Sequence, residues 1–139
     1  MIDRIDPQDA KRRMNEEGYA YLDVRTVPEF EQGHPTGAYN LPWMHLDVGG
    51  LQPNPDFLPT AIRIFAKDHK LIVGCQSGKR SMQAAKKLLS AGFTHIVDLR
   101  AGYEGVRNVF GQVMEAGWQT VGLPISLQAR EGRAWKDLR

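Results

Sequence analysis

The sequence predicts a small α/β domain organised around a parallel β-sheet. Three observations carry that prediction. The chain has 139 residues, about the size of one ordinary domain. Its composition, 42% apolar and 24% charged, lies at globular averages and excludes a disordered chain, a collagen-like repeat or a long coiled coil. Strand and helix signals alternate along it, and the apolar run Leu71-Ile72-Val73-Gly74 is continuous rather than alternating. Continuous runs belong to strands covered on both faces, as in parallel sheets. A chain of this length can bury one core without staples, which are usually needed only below roughly 40 residues.

Each element has its own signal. Asp6 followed by Pro7 reads as a cap and a first helical position; helix formers fill residues 8–17, and Gly18 is a natural stop. Residues 19–24 (Tyr-Ala-Tyr-Leu-Asp-Val) read as a strand. A loop rich in Gly and Pro follows over 31–40. Pro53, Pro55 and Pro59 mark a second irregular stretch, and 60–67 reads as a helix ending before the strand at 70–74. Residues 81–91 read as a helix with Ala84, Ala85, Leu88 and Leu89 on one side and Lys86 and Lys87 near the other, stopped by Gly92. Residues 95–99 are a further strand. No repeat or low-complexity segment appears.

Charge and cysteine content narrow the function classes. Eighteen Lys+Arg against sixteen Asp+Glu give +2. All of that excess can be placed in 127–139, where Arg130, Arg133, Lys136 and Arg139 face only Glu131 and Asp137. The expected organisation is one domain over 1–126 and a basic, solvated C-terminal tail over 127–139. A short basic end is no basic face, so nucleic acid is not expected as a partner. The only cysteine is Cys75, which excludes an intramolecular disulfide and a zinc site of several thiolates. Neither a signal peptide nor a run of roughly 20 apolar residues is visible, so no membrane association is expected. With a lone thiol, this points to the cytoplasm. No metal or cofactor is expected.

The informative segment is Cys75-Gln76-Ser77-Gly78-Lys79-Arg80-Ser81, between an apolar strand and a helix. In open α/β sheets, crevices lie at the carboxyl ends of strands. A short loop there turns its N–H groups toward the helix N-terminus, where the dipole favours negative charge. The group placed at that point is a thiol. A helix N-terminus with Lys79 and Arg80 nearby favours the thiolate, the nucleophilic form. Cations at a helix N-terminus oppose the macrodipole, so these two are expected to serve a bound anion.

The segments Tyr21-Leu22-Asp23-Val24-Arg25, Glu29-Phe30, Gly33-His34 and Gly37-Ala38-Tyr39-Asn40-Leu41-Pro42, followed by the Cys75 loop, Ala101-Gly102-Tyr103 and Gly122-Leu123-Pro124, occur in a telling order. In that order the chain resembles the single-domain rhodanese-like sulfurtransferases of the thiosulfate sulfurtransferase family. The resemblance implies a five-stranded parallel sheet with helices on both faces. It implies a ping-pong reaction in which Cys75 takes the outer sulfur of thiosulfate or a similar donor as a persulfide and passes it to cyanide or a thiol. It matches Cys75 to the catalytic cysteine, Gln76 to Arg80 to the active-site loop, with Ser81 beside it, and Asp23 and Arg25 to a bracing pair. From the residues alone, Arg25 could pair with Asp23 or Glu29, and His34 is structural.

The chain departs from the family between Glu104 and Gly117, where a longer segment with Val106, Val109, Phe110, Val113 and Met114 is expected to pack as an extra turn of helix beside the site. With no second thiol in the chain, sulfur is expected to leave to an external acceptor, a small thiol, cyanide or a thiol-bearing protein. A dibasic, serine-flanked loop favours thiosulfate over mercaptopyruvate. Three alternatives compete. Phosphatase or arsenate reductase chemistry on the same fold needs an arginine six positions after the cysteine to clamp a tetrahedral oxyanion; here that position is Ser81. A non-catalytic rhodanese module would bind a partner instead. A Cys–His hydrolase would need His34, His45, His69 or His95 beside Cys75.

Overall fold

The computed structural model describes residues 2–139. A short strand, β1 (Asp3–Ile5), precedes helix α1 (Pro7–Glu16). Asp6 caps α1 by accepting from the Asp9 amide at 2.8 Å, and Pro7 fills the first helical position, where a missing N–H costs nothing. After β2 (Ala20–Asp23), Thr26 opens a five-residue helix, α2 (Val27–Glu31). Thr26 and Glu29 form a reciprocal capping box, satisfying two otherwise free backbone donors. The stretch expected as plain loop over 31–40 also holds β3 (His34–Pro35) and β4 (Tyr39–Asn40).

A hairpin of β5 (Met44–Asp47) and β6 (Gly50–Pro53) leads to α3 (Phe57–Ile64). This helix starts earlier than the expected residue 60 because Pro59 lies in its first turn, where amides have no intrahelical partner to lose. Then come β7 (Leu71–Gly74), α4 (Lys79–Ser90), β8 (Ile96–Leu99), a hairpin of β9 (Gly105–Arg107) and β10 (Val113–Ala116), β11 (Ile125–Ser126), which pairs with β3, and α5 (Trp135–Leu138).

Five strands form one parallel sheet in the order β1-β8-β7-β2-β4. Neighbouring residues in each strand face opposite sides. Leu71 and Val73 enter one core with Leu22, Phe57, Ala84, Ala85 and Leu88, against α3 and α4. Ile72 enters the other with Tyr21, Val97, Ala10 and Phe30, against α1 and α2. The expected layering, helices on both faces of a five-stranded parallel sheet, is what the chain adopts. Among the described residues no helix is long and apolar enough to cross a membrane.

Two expectations are corrected. The segment between Glu104 and Gly117 is not an extra helical turn but the β9–β10 hairpin. Asn108 Oδ1 accepts from the amides of Phe110 and Gln112, and Gly111 adopts φ +80°, the chemistry of a tight turn. The C-terminal segment is not a solvated tail. Trp135 and Leu138 are buried in the first core, the Arg133 carbonyl accepts from the Asn40 amide at 2.9 Å, and Arg133 donates to the Gly37 carbonyl at 2.7 Å. Burial of the two apolar side chains holds the segment against the core, while Lys136 and Asp137 between them stay exposed.

Sheet order places the site. β7 passes through α4 to β8 on one side, and β2 passes through α2 to β4 on the other. The carboxyl ends of β7 and β2 are therefore a topological switch point, where loops diverge and leave a crevice. Cys75 follows β7, and Asp23 and Arg25 stand at the end of β2.

Candidate active site

Strand β7 ends in a glycine for a steric reason. A Cβ on Gly74 would lie 2.0 Å from the Tyr21 hydroxyl, so a larger residue would displace a buried ring. The next residue, Cys75, is a free thiol with 1% exposure. The chain then folds back over its sulfur. The Gly78 amide donates to Sγ at 3.1 Å, and the Ser81 hydroxyl, itself fully buried, lies 3.4 Å from Sγ. Gly78 reaches this position at φ +102°, a region open mainly to glycine. A Cβ there would lie 2.1 Å from the Arg100 carbonyl oxygen.

The loop is anchored from outside. The Tyr103 amide donates to the Cys75 carbonyl at 2.8 Å, and the Glu104 amide to the Gln76 carbonyl at 3.0 Å. Gly102 allows this approach, since its Cβ would lie 2.7 Å from the Cys75 carbonyl oxygen. Gln76 projects sideways. Its Oε1 accepts from Arg25 at 3.1 Å, and its Nε2 donates to Glu104.

Arg25 and Asp23 are both buried and paired, with Nη2 donating to Oδ2 at 2.8 Å and Nε to Oδ1 at 3.0 Å. Of the two partners left open by the sequence, Arg25 takes Asp23. It also donates to the Gly33 carbonyl at 2.7 Å and lies 4.2 Å from the Tyr103 ring centroid. Burial alone would lower the guanidinium's affinity for its proton, but the Asp23 carboxylate holds it above its usual value.

Glu29 takes Arg80 instead, in a two-pronged contact of 2.7 and 2.9 Å. Burial would raise the Glu29 carboxyl; the hydrogen bonds and charge of Arg80, with hydrogen bonds from Thr26, overcome it and hold the group at about 2. The expectation that Lys79 and Arg80 both serve a bound anion is corrected for Arg80. Its charge is directed at Glu29, tying the loop to α2. Lys79 is exposed, as is Ser77.

His34 is buried, with Nδ1 2.8 Å from the Phe30 carbonyl oxygen, a structural setting. Among the described residues, none of His34, His45, His69 and His95 hydrogen-bonds to Cys75, and no cluster of His, Cys, Asp or Glu is built to hold a metal. A recess of about 220 Å³ opens beside the loop, lined by Arg25, Glu29, Gly33, Gln76, Tyr103 and Glu104 among others. Sequence reasoning singled out Cys75, its loop, Asp23 and Arg25, and the structure brings them together. It missed Tyr103 and Glu104 as anchors and the pairing of Glu29 with Arg80, because nothing in residue spacing shows that α2 faces the loop.

The arrangement holds one sulfur within reach of an N–H donor and a hydroxyl, both able to hydrogen-bond an anion. Residues 6–108 match the rhodanese-like domain family. Thiosulfate sulfurtransferase 16, chloroplastic, of Arabidopsis thaliana is 50% identical over 86 residues, which span 62% of this chain and 72% of that protein. Thiosulfate sulfurtransferase GlpE of Stutzerimonas stutzeri (strain A1501) is 34% identical over 112 residues, 81% of this chain and 91% of that protein. Two further plant relatives are longer, and the match spans 53% of each. Among solved structures, Rv0390 from M. tuberculosis superposes with a TM-score of 0.75 at 26% identity, covering 91% of this chain and 98% of its own.

Proposed function

Since this chain belongs to the rhodanese-like family, we propose that it is a sulfurtransferase that carries sulfane sulfur on Cys75, with thiosulfate as donor. The observation that carries the reading is the Gly78 amide directed at Cys75 Sγ. The names of the Arabidopsis and Stutzerimonas relatives support thiosulfate as the donor class.

In the first half-reaction the Cys75 thiolate attacks the outer sulfur of thiosulfate. A new S–S bond forms at Cys75, the S–S bond of the donor breaks, and sulfite leaves with the bond's electron pair. In the second, cyanide or an external thiolate attacks the outer sulfur, and Cys75 departs as thiolate. Negative charge returns to Sγ in each cycle. The Gly78 N–H is already in place for it, which is how a preorganised donor lowers a barrier. Asp23 and Arg25 support this chemistry from outside, by fixing Gln76 and the backbone at Gly33.

The same geometry disfavours phosphatase or arsenate reductase chemistry. The residue six positions after Cys75 is Ser81, and the nearby guanidinium of Arg80 is held by Glu29, leaving it no free fork for a tetrahedral oxyanion. Intact-mass measurement after thiosulfate treatment tests the proposal. The wild-type protein gains one sulfur atom, and Cys75→Ala gains none while retaining its fold. A thiocyanate-forming assay with thiosulfate and with mercaptopyruvate then separates the donors. A wild-type chain that takes up no sulfur, or a Cys75→Ala chain that turns over at the wild-type rate, overturns the assignment.

A further inference from the structure

Asp98 lies at the carboxyl end of β8, fully buried. Its Oδ2 accepts from Arg4 Nε at 2.8 Å, while Oδ1 has no hydrogen-bond partner among the described residues. Burial pushes the carboxyl above its usual value, against the pull of Arg4. Arg4 projects from β1, and its second arm does not complete a two-pronged contact with Asp98. Nη2 donates instead to the Gly78 carbonyl at 3.0 Å and to the Arg100 carbonyl at 3.4 Å.

That division is informative. An arginine and a carboxylate left to themselves favour the parallel fork, and an ion pair with one member fully buried is weak grounds for net stability. Here the fork is given up for the carbonyl of the residue whose amide faces the catalytic sulfur. Gly78 is the loop position with the widest backbone freedom, at φ +102°, so its own dihedral preferences do not hold its N–H on Sγ. Contacts must do so, and the Arg4 contact falls on Gly78 itself.

We propose that Arg4, oriented by Asp98, is a positioning residue for sulfur transfer: by holding the Gly78 carbonyl it keeps the Gly78 N–H directed at Cys75 Sγ. Arg4 touches neither the sulfur nor the substrate and acts only through Gly78. The inference rests on Cys75 being the sulfur carrier, and the test separates the two.

The variants are Arg4→Gln, which removes both contacts, and Arg4→Lys, which keeps a cation for Asp98 and loses the second arm. Three quantities are read in the full chain: the unfolding midpoint, kcat and KM for thiosulfate with cyanide as acceptor, and the rate of Cys75 alkylation by iodoacetamide across pH. Both variants lower kcat by about tenfold, the scale of one hydrogen bond to a charged group, with KM changed by less. Both slow alkylation to a similar degree. Arg4→Lys shows this with the smaller fall in unfolding midpoint. A merely structural ion pair would lower that midpoint while the alkylation profile stayed on the wild-type curve, and that result, or wild-type kcat in Arg4→Lys, overturns the proposal. A wild-type protein that forms no persulfide fails the transfer reading instead, and the alkylation profile still decides the role of Arg4.

Discussion

Glu29→Gln isolates the contact that ties α2 to the active-site loop. Gln keeps the shape of Glu and can still accept from Thr26, whose amide and hydroxyl lie 3.1 and 2.9 Å from Oε1. The charge facing Arg80 is lost, and with it one acceptor, since an NH2 group replaces the Oε2 that takes the Arg80 Nη2 donor. The Glu29 carboxyl is held at about 2 against an ordinary 4.5, which at about 1.4 kcal/mol per unit sets an upper bound of about 3.5 kcal/mol. The side chain is 29% exposed, and solvent screening reduces that bound, so the expected loss at neutral pH is about 1–2 kcal/mol. The pH dependence has a definite sign. A carboxyl whose value is lower in the folded state adds stability that is complete above its unfolded value and disappears as pH falls through its folded value. The gap between wild type and Glu29→Gln is therefore full above about 4.5 and closes toward about 2. Urea unfolding at neutral pH, and again within that window, measures it. Equal stability at neutral pH, or a gap that does not shrink on acidification, refutes the reasoning.

Three further outcomes are expected. Gly74→Ala places a Cβ where the Tyr21 hydroxyl sits and should destabilise the fold by about 2 kcal/mol or more in denaturant unfolding, with loss of sulfur uptake because β7 leads directly into Cys75. Trp135→Ala removes a buried ring from the first core and should cost about 3 kcal/mol; a change near zero would restore the picture of a solvated tail. Phe110→Ser at the β9–β10 turn, where the ring is 86% exposed, should change stability by no more than about 0.5 kcal/mol, as the unfolding midpoint will show.

Elements with strong local signals were legible in the sequence. The capped helix after Asp6, the continuous apolar strand before Cys75 and the Ala84-Ala85-Leu88 face of α4 each announce themselves through composition and spacing. Elements that failed to show were those whose stability comes from neighbours. β1 is three residues long and exists because β8 supplies its hydrogen bonds. β4 is two residues long and depends on β2 in the same way. Between 104 and 117 the apolar residues Val106, Val109, Phe110, Val113 and Met114 have a spacing close to a helical period, yet Val109 is 94% exposed. There the turn chemistry of Asn108 and Gly111 outweighed periodicity. Pro59 reads as a breaker, although in a first helical turn it breaks nothing.

From residue order alone came the α/β class, the family likeness and the candidate cysteine, because these rest on local patterns that a chain carries before it folds. The partners of the charged groups came only with folding. Arg80 faces Glu29, Arg25 settles on Asp23, one of the two carboxylates the sequence offered it, and Arg4 reaches Gly78 across a sheet whose first strand the sequence does not reveal. The Arg80 and Arg4 contacts join residues more than fifty positions apart, and a pairing at that separation is set by how the sheet stacks its strands and which face each helix takes. The residues around Cys75 are thus written in one loop, while the contacts that reach that loop from Arg4 and Glu29 are decided by the elements around it.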